Sequence, residues 1–226
     1  MLRSLLLCAT LFPRSMSPEP VLDPRIRRTR QMLFKALEEL LHEKSFDEIT
    51  MLDLASRSTL NRGTIYTHFK DKYAVLVALA EEQFRAIFDA RMAGASGTCH
   101  ESVKQLILTV CDYLGPMMAC SQAHQRPFEP IVESTVRTIV RNFLLEGLRQ
   151  SKRVASCADA ELRATAGSWA ICGTVVEWSR TRATSAEDLA KAVLPLVSAG
   201  LLLPDAVSVE DPGSAKKPAA ARTRGR

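Results

Sequence analysis

Residues 49–72 read ITMLDLASRSTLNRGTIYTHFKDK. The pattern predicts two short helices joined by a turn, then the start of a third. Thr50 followed three residues later by Asp53 has the form of a capping box, in which each side chain satisfies the other residue's backbone N–H. Ile49, Leu52, Leu54 and Ala55 supply apolar or close-packing positions around it. Asn61 suits the cap of a helix opening at Arg62. Ile65 and Phe69 lie four residues apart and share one face of that helix. Lys70 and Asp71 mark the next break.

Upstream, Asp23-Pro24 offers a cap and a first-turn proline. A helix then runs to Leu41 or His42, with Ile26, Leu33, Leu37 and Leu40 or Leu41 as its inward stripe. Phe46 is expected to pack where the chain turns. Downstream, Leu76, Leu79, Ala80, Phe84, Ile87 and Phe88 continue a long helical pattern. A short glycine-containing connection, Gly94 to Thr98, follows it. Further helices are predicted near 99–119, 127–150, 158–182 and 186–202, with Pro116, Pro127 and Pro130 interrupting or opening them. The fold class is all-α.

The 226 residues are 46% apolar, enough for a real core. Aromatic residues are few while Leu and Ala are frequent, which favours helices over sheets. No apolar run approaches the ~18 residues that a membrane-spanning helix needs. Cysteines stand at 8, 99, 111, 120, 157 and 172 without CxxC spacing. Structural zinc and a secreted disulfide scaffold are therefore unsupported, and buried free thiols in a reducing cytoplasm are expected.

The formal net charge is +5, and its distribution is uneven. Lys216, Lys217, Arg222, Arg224 and Arg226 lie in a tail with no acid after Asp211. Arg25, Arg27, Arg28 and Arg30 cluster at the start of the first long helix. Both clusters are of the kind that contacts phosphates. The opening MLRSLLLCATLF resembles a weak signal segment, yet its apolar run is brief and no small-residue cleavage site follows. A start at Met16, or a disordered arm, is the expectation.

A helix that reads DNA needs one face anchored in its own domain and another offering donors. Ile65 and Phe69 suit the anchor. Arg62, Thr64, Thr67 and His68 suit polar contacts, and Gly63 permits close approach to a sugar-phosphate backbone. Tyr66 adds a rigid ring and a hydroxyl donor. Lys72, with the free amides of the next helix start, is placed to clamp a phosphate.

At these residues the chain resembles the amino-terminal domain of TetR/AcrR family transcriptional regulators. The likeness runs from about Arg27 to Ala86. It is strongest in Asp53-Leu54-Ala55 and in Asn61-Arg62-Gly63-Thr64-Ile65-Tyr66-Thr67-His68-Phe69-Lys70-Asp71-Lys72. The resemblance implies that Arg62 and Gly63 face base edges or the groove floor. It implies that Asn61, Thr64, Tyr66, His68 and Lys72 contact or steady the DNA backbone, with Thr50 at a phosphate-contacting helix start. Thr67 matches a more variable position that adds sequence preference, and Arg27 and Arg28 complete the DNA-binding set. One departure stands out: Ser58-Thr59-Leu60 fills a turn that usually holds a small residue and then glycine. Glycine relieves a left-handed backbone, and Thr59 is strained in the same geometry.

Composition at the two ends and the resemblance between them divide the chain into four expected parts. These are a disordered or over-extended segment 1–23, a helix-turn-helix DNA-binding domain 24–88, a helical effector-binding and dimerisation domain 89–203, and a disordered basic tail 204–226. The resemblance implies a homodimer on an inverted-repeat operator in double-stranded DNA. The last two long helices would form the interface, with Ile171, Val175, Trp178, Leu189, Val193, Leu196 and Val197 as candidates. It implies a pocket for an apolar or amphipathic small-molecule effector, with Leu106, Val110, Tyr113, Met117, Phe128, Val132, Phe143 and Trp169 as candidate lining residues. Repression by a cytoplasmic regulator is the usual outcome.

Two other classes are weighed against this. An enzyme lacks support: His42, His68, His100 and His124 have no metal-ligand spacing, and no GxSxG, phosphate-loop or HExxH pattern occurs. No cofactor or metal is expected. The alternative is a divergent helical dimer that acts as an interaction protein without specific DNA binding, and the Thr59 turn is its best support.

Overall fold

The Asp23 side chain accepts from the Arg25 amide at 2.8 Å, and Pro24 occupies the first turn that this cap opens. From there the computed structural model is helical throughout. It describes residues 23–95, 99–119, 128–151 and 156–202. In order these form α1 (Pro24–Glu43), a 3₁₀ turn (Phe46–Glu48), α2 (Met51–Ser58), α3 (Arg62–His68), α4 (Lys72–Met92), α5 (His100–Ala119), α6 (Glu129–Gln150), α7 (Cys157–Thr181) and α8 (Ala186–Leu202). The expected arm, the basic tail, Pro127, Cys8 and Cys120 lie outside the described residues.

The amino-terminal unit packs α1, α2 and α3 around one apolar centre. Leu33, Phe34, Leu37 and Leu40 of α1 meet Leu54 and Ala55 of α2, Ile65 of α3 and Phe69 just after it. Phe46 and Ile49 are fully buried in the connection, where each contributes roughly 1.5–3 kcal/mol. Arg57 of α2 then fastens the outside. Its guanidinium donates to both carboxylate oxygens of Glu43 at 2.9 and 2.7 Å and reaches Glu39 at 3.5 Å.

The long α4 leaves this unit and carries the chain into a larger bundle. Its buried residues face α1 at one end and α5 and α6 further along. α7 lies against α5 and α6, and α8 closes on α5 and α7. Gly167 lets α7 approach its neighbours: a Cβ there would stand 3.2 Å from Leu144 and 3.3 Å from Leu201. Pro116 lies inside α5 rather than interrupting it. It falls in the last turns, where the missing N–H costs a single helical bond. Pro130 opens α6 as expected.

The thiols divide. Cys111 and Cys172 are buried, and burial pushes each up to about 12. Cys99 and Cys157 are exposed free thiols, contrary to the expectation of burial. Both sit at helix openings, where only the following residues turn inward. No described helix is long and apolar enough to cross a membrane. No described group of three or more His, Cys, Asp or Glu could hold a metal ion.

Candidate nucleic-acid interface

The turn before α3 is built from two caps and one strained residue. Thr50 and Asp53 form the full capping box. The Thr50 amide donates to Asp53 Oδ2 at 2.8 Å, and the Asp53 amide donates to Thr50 Oγ1 at 3.1 Å. The Thr50 hydroxyl also donates to Asp53 Oδ2, at 2.7 Å. Lys44 pairs with the same carboxylate at 2.8 Å. The Lys44 ammonium first, and the Thr50 donors after it, hold the Asp53 carboxyl down at about 2. α2 ends at Thr59, whose backbone is left-handed at φ 57°, ψ 25°. A β-branched residue is disfavoured there by roughly 1–2 kcal/mol. The expected strain is present, and the turn closes despite it through a Leu60 amide bond to the Ala55 carbonyl at 3.2 Å.

Asn61 caps α3 by accepting from the Gly63 amide at 2.8 Å. The inner face of α3 is Ile65, fully buried, and Phe69 at its end is also buried. Arg62, Gly63, Thr64, Tyr66 and Thr67 are exposed along the other face, with His68 half-buried at the edge. A Cβ on Gly63 would meet only the Asn61 amide oxygen at 3.3 Å. The protein interior therefore does not demand glycine at 63. Thr67 donates to the Thr64 carbonyl at 2.7 Å, which leaves its oxygen's acceptor side outward. Arg28 is exposed on the first turns of α1, and so is Arg27, which engages neighbouring groups. Arg30 lies over the Phe34 and Phe69 rings at 5.3 and 5.5 Å. This stacking carries the basic start of α1 to the end of α3, a juxtaposition the sequence did not reveal.

Lys72 takes a different position from the one expected. Its ammonium donates to the carbonyls of Phe46, Asp47 and Ile49 at 2.8, 2.9 and 2.9 Å. A lysine has three donors, and all are used. It also sits 4.9 Å above the Phe46 ring. Lys72 thus staples the start of α4 to the turn between α1 and α2, and the phosphate-clamp geometry is not the one present.

Residues 33–79, from α1 into α4, match the family model of bacterial regulatory proteins, tetR family. The likeness to that family model covers these residues, about a fifth of the chain. An uncharacterized HTH-type transcriptional regulator, YxbF of Bacillus subtilis (strain 168), is 32% identical over 78 residues. That match covers 34% of this chain, which spans 20% of the length of the curated relative. A TetR transcriptional regulator from Streptococcus agalactiae 2603V shares the fold with a TM-score of 0.50 at 19% identity, over 76% of this chain and 95% of that one. A tetR-family transcriptional regulator from Streptomyces coelicolor has a TM-score of 0.49 at 17% identity, over 77% and 80% of the two chains.

A cleft opens between α1 and α4 on one side and α5 and α6 on the other. Of the expected lining residues, Tyr113, Met117, Phe128 and Val132 line it. Leu106 and Val110 are instead fully buried in the core, because the inward faces of α5 are occupied by neighbouring helices. Phe143 packs edge-on against Phe88 at 5.3 Å. Trp169 is 55% exposed, on an outward face of α7, with the Arg137 guanidinium stacked 3.7 Å from its ring centre. None of these four lines the cleft.

Sequence reasoning missed the other wall: Glu38, Leu41 and His42 of α1, and Leu76, Leu79, Ala80 and Gln83 of α4. One signal was available. Glu38 and Gln83 are polar residues beside inward-facing positions of their helices. The free space is about 30 Å³, far below the roughly 300 Å³ at which pockets for drug-sized ligands begin.

The interface expectation for α7 and α8 is also revised. Ile171, Val175, Val193 and Val197 are buried within the single chain, and Trp178 donates its indole N–H to the Thr184 carbonyl at 2.9 Å. The apolar side chains left outward are Leu162, Trp169 and Leu196, at 69%, 55% and 74% exposure. Both helices carry apolar residues on two faces, so periodicity alone does not separate the core face from the outer one.

Proposed function

We propose that this chain is a sequence-specific DNA-binding transcriptional regulator that works as a ligand-responsive homodimeric repressor. The observation that carries the reading is the two-faced α3. Ile65 and Phe69 anchor it, while Arg62, Gly63, Thr64, Tyr66 and Thr67 stand outward together. A capped, anchored helix with Arg at its first position is suited to the major groove, where Arg pairs bidentately with guanine. Thr50 and Asn61, which cap the two helix openings, are read as contacts to the DNA backbone. The exposed Arg28, and Arg27 beside it, extend that surface along α1. Residues 24–88 are read as the DNA-binding domain and 89–203 as the effector and dimerisation domain.

The outward Leu162, Trp169 and Leu196 support a dimer through α7 and α8, since apolar side chains of this size gain by being covered. A two-fold dimer would read an inverted repeat, with half-sites about one helical turn or a multiple apart. Ligand response would be a population shift: a ligand that prefers one spacing of the two α3 helices moves the dimer toward it.

The test is selection of bound fragments from genomic DNA with the purified full chain, followed by footprinting. An enriched inverted repeat protected on both half-sites supports the reading. A folded dimer that enriches no sequence would leave the interaction-protein alternative standing and sink the present one.

A further inference from the structure

We infer that the cleft between α1/α4 and α5/α6 receives a slim organic ammonium ion, with Glu38 as its counter-ion. This rests on the ligand-responsive reading above and names the ligand class.

The cleft is apolar over most of its surface, through residues such as Leu41, Leu79, Met117, Phe128 and Val132. Its polar side chains are Glu38, His42, Gln83 and Tyr113, and three of these are linked. The Gln83 amide nitrogen donates to Glu38 Oε1 at 2.6 Å. The Tyr113 hydroxyl reaches the Gln83 amide oxygen at 3.2 Å and the Ala80 carbonyl at 3.3 Å. Tyr113 thereby sets which way the Gln83 amide points, and Gln83 holds the carboxylate in place. An ionised carboxylate offers about four acceptor positions, and Glu38 fills one of them from the described residues.

The Glu38 carboxylate, lining the cleft, selects the sign of the ligand. Burial raises the Glu38 carboxyl above its ordinary range, so its charged form is under-solvated. After burial and the Gln83 hydrogen bond, the charges that act on it are His42, which lowers it, and Glu82 and Glu39, which raise it. An anion entering the cleft meets repulsion from Glu38. A neutral alcohol gains a hydrogen bond, whereas an ammonium ion gains the bond and the charge pairing in a partly desolvated place.

The shape selects a narrow ligand. Free space of about 30 Å³ admits a compact head such as –NH₃⁺ before a bulky one. A linear tail then needs only the displacement of flexible side chains, of which Met117 is the most compliant. Occupancy would also act on the DNA-facing unit. Phe128 of the cleft packs edge-on against Phe46 at 6.2 Å, and Phe46 is the residue that Lys72 binds.

The experiment is calorimetric titration of the full-length protein with n-octylammonium, n-octanoate and n-octanol, alongside gel shifts with the selected operator. Saturable octylammonium binding, about tenfold or more tighter than octanoate, is expected. Glu38→Gln keeps the shape and the Gln83 contact, and it should weaken octylammonium by about tenfold while leaving octanol unchanged. If that variant melts early, Met117→Phe, which fills the cleft, should abolish octylammonium binding while the helical content stays that of the native protein. Equal binding of octanoate overturns the inference, as does octylammonium affinity unaffected by both variants. Failure of every probe on protein that still shifts its operator overturns the inference alone. Octylammonium binding without any operator shift instead overturns the DNA-binding reading.

Discussion

The Lys72 ammonium holds Phe46 twice, by a 2.8 Å hydrogen bond to its carbonyl and by sitting 4.9 Å above its ring. Through that one residue the helix that follows α3 is tied to the turn that precedes α2. Lys72→Met should therefore destabilise the fold by about 2 kcal/mol, because three carbonyls lose a charged donor. Urea unfolding measures this. A lysine that only contacted phosphate would give unchanged stability and a salt slope for DNA binding lowered by about 1.

Thr59 stands at φ 57°, outside the comfortable range of a β-branched residue. Thr59→Gly should stabilise the protein by about 0.5–1 kcal/mol, the strain relieved less the added freedom of the unfolded chain. A melting temperature that stays the same or falls would show that the turn carries no such strain.

Asp53 is held at about 2, against an ordinary 3.8, by Lys44 and Thr50. A carboxyl depressed in the folded state adds stability above its unfolded value, and that stability is lost as pH falls through the folded one. The native chain should lose this contribution between about pH 4 and pH 2, and Asp53→Asn should flatten stability over that window. Identical acid-unfolding profiles for the two proteins would remove the Lys44–Asp53 pair from the account.

Arg62 is exposed at the first turn of α3. Arg62→Ala should cost about 1–3 kcal/mol of discrimination at one position of each half-site. Competition binding with single-base operator variants reads this directly. A uniform loss across all sequences would reassign Arg62 to the DNA backbone.

Leu162 and Leu196 are mostly exposed in the single chain, so a charge at either position has little effect on its fold. Leu162→Glu and Leu196→Glu should convert the proposed dimer to monomer in sedimentation and leave the helical content intact. A dimer that persists in both variants places the interface elsewhere.

The sequence by itself determined the local structure around α3. The Thr50–Asp53 box, the Asn61 cap and the Ile65–Phe69 anchor are spacing rules acting over three or four residues, and each appears in the fold. The left-handed Thr59 was legible for the same reason, since its neighbours alone set the turn. What only the tertiary structure decided is where long side chains end. Lys72 meets carbonyls more than twenty residues earlier in the chain, and Arg30 reaches Phe69 across two helices. The faces of α5, α7 and α8 were settled the same way, because helices apolar on two sides do not state which side meets the core. Leu106 and Val110 went to the core and Trp169 to the surface, while Glu38 and Gln83, far apart in sequence, came together in the cleft. Contacts at such separations depend on how whole helices pack, and no short-range pattern encodes them.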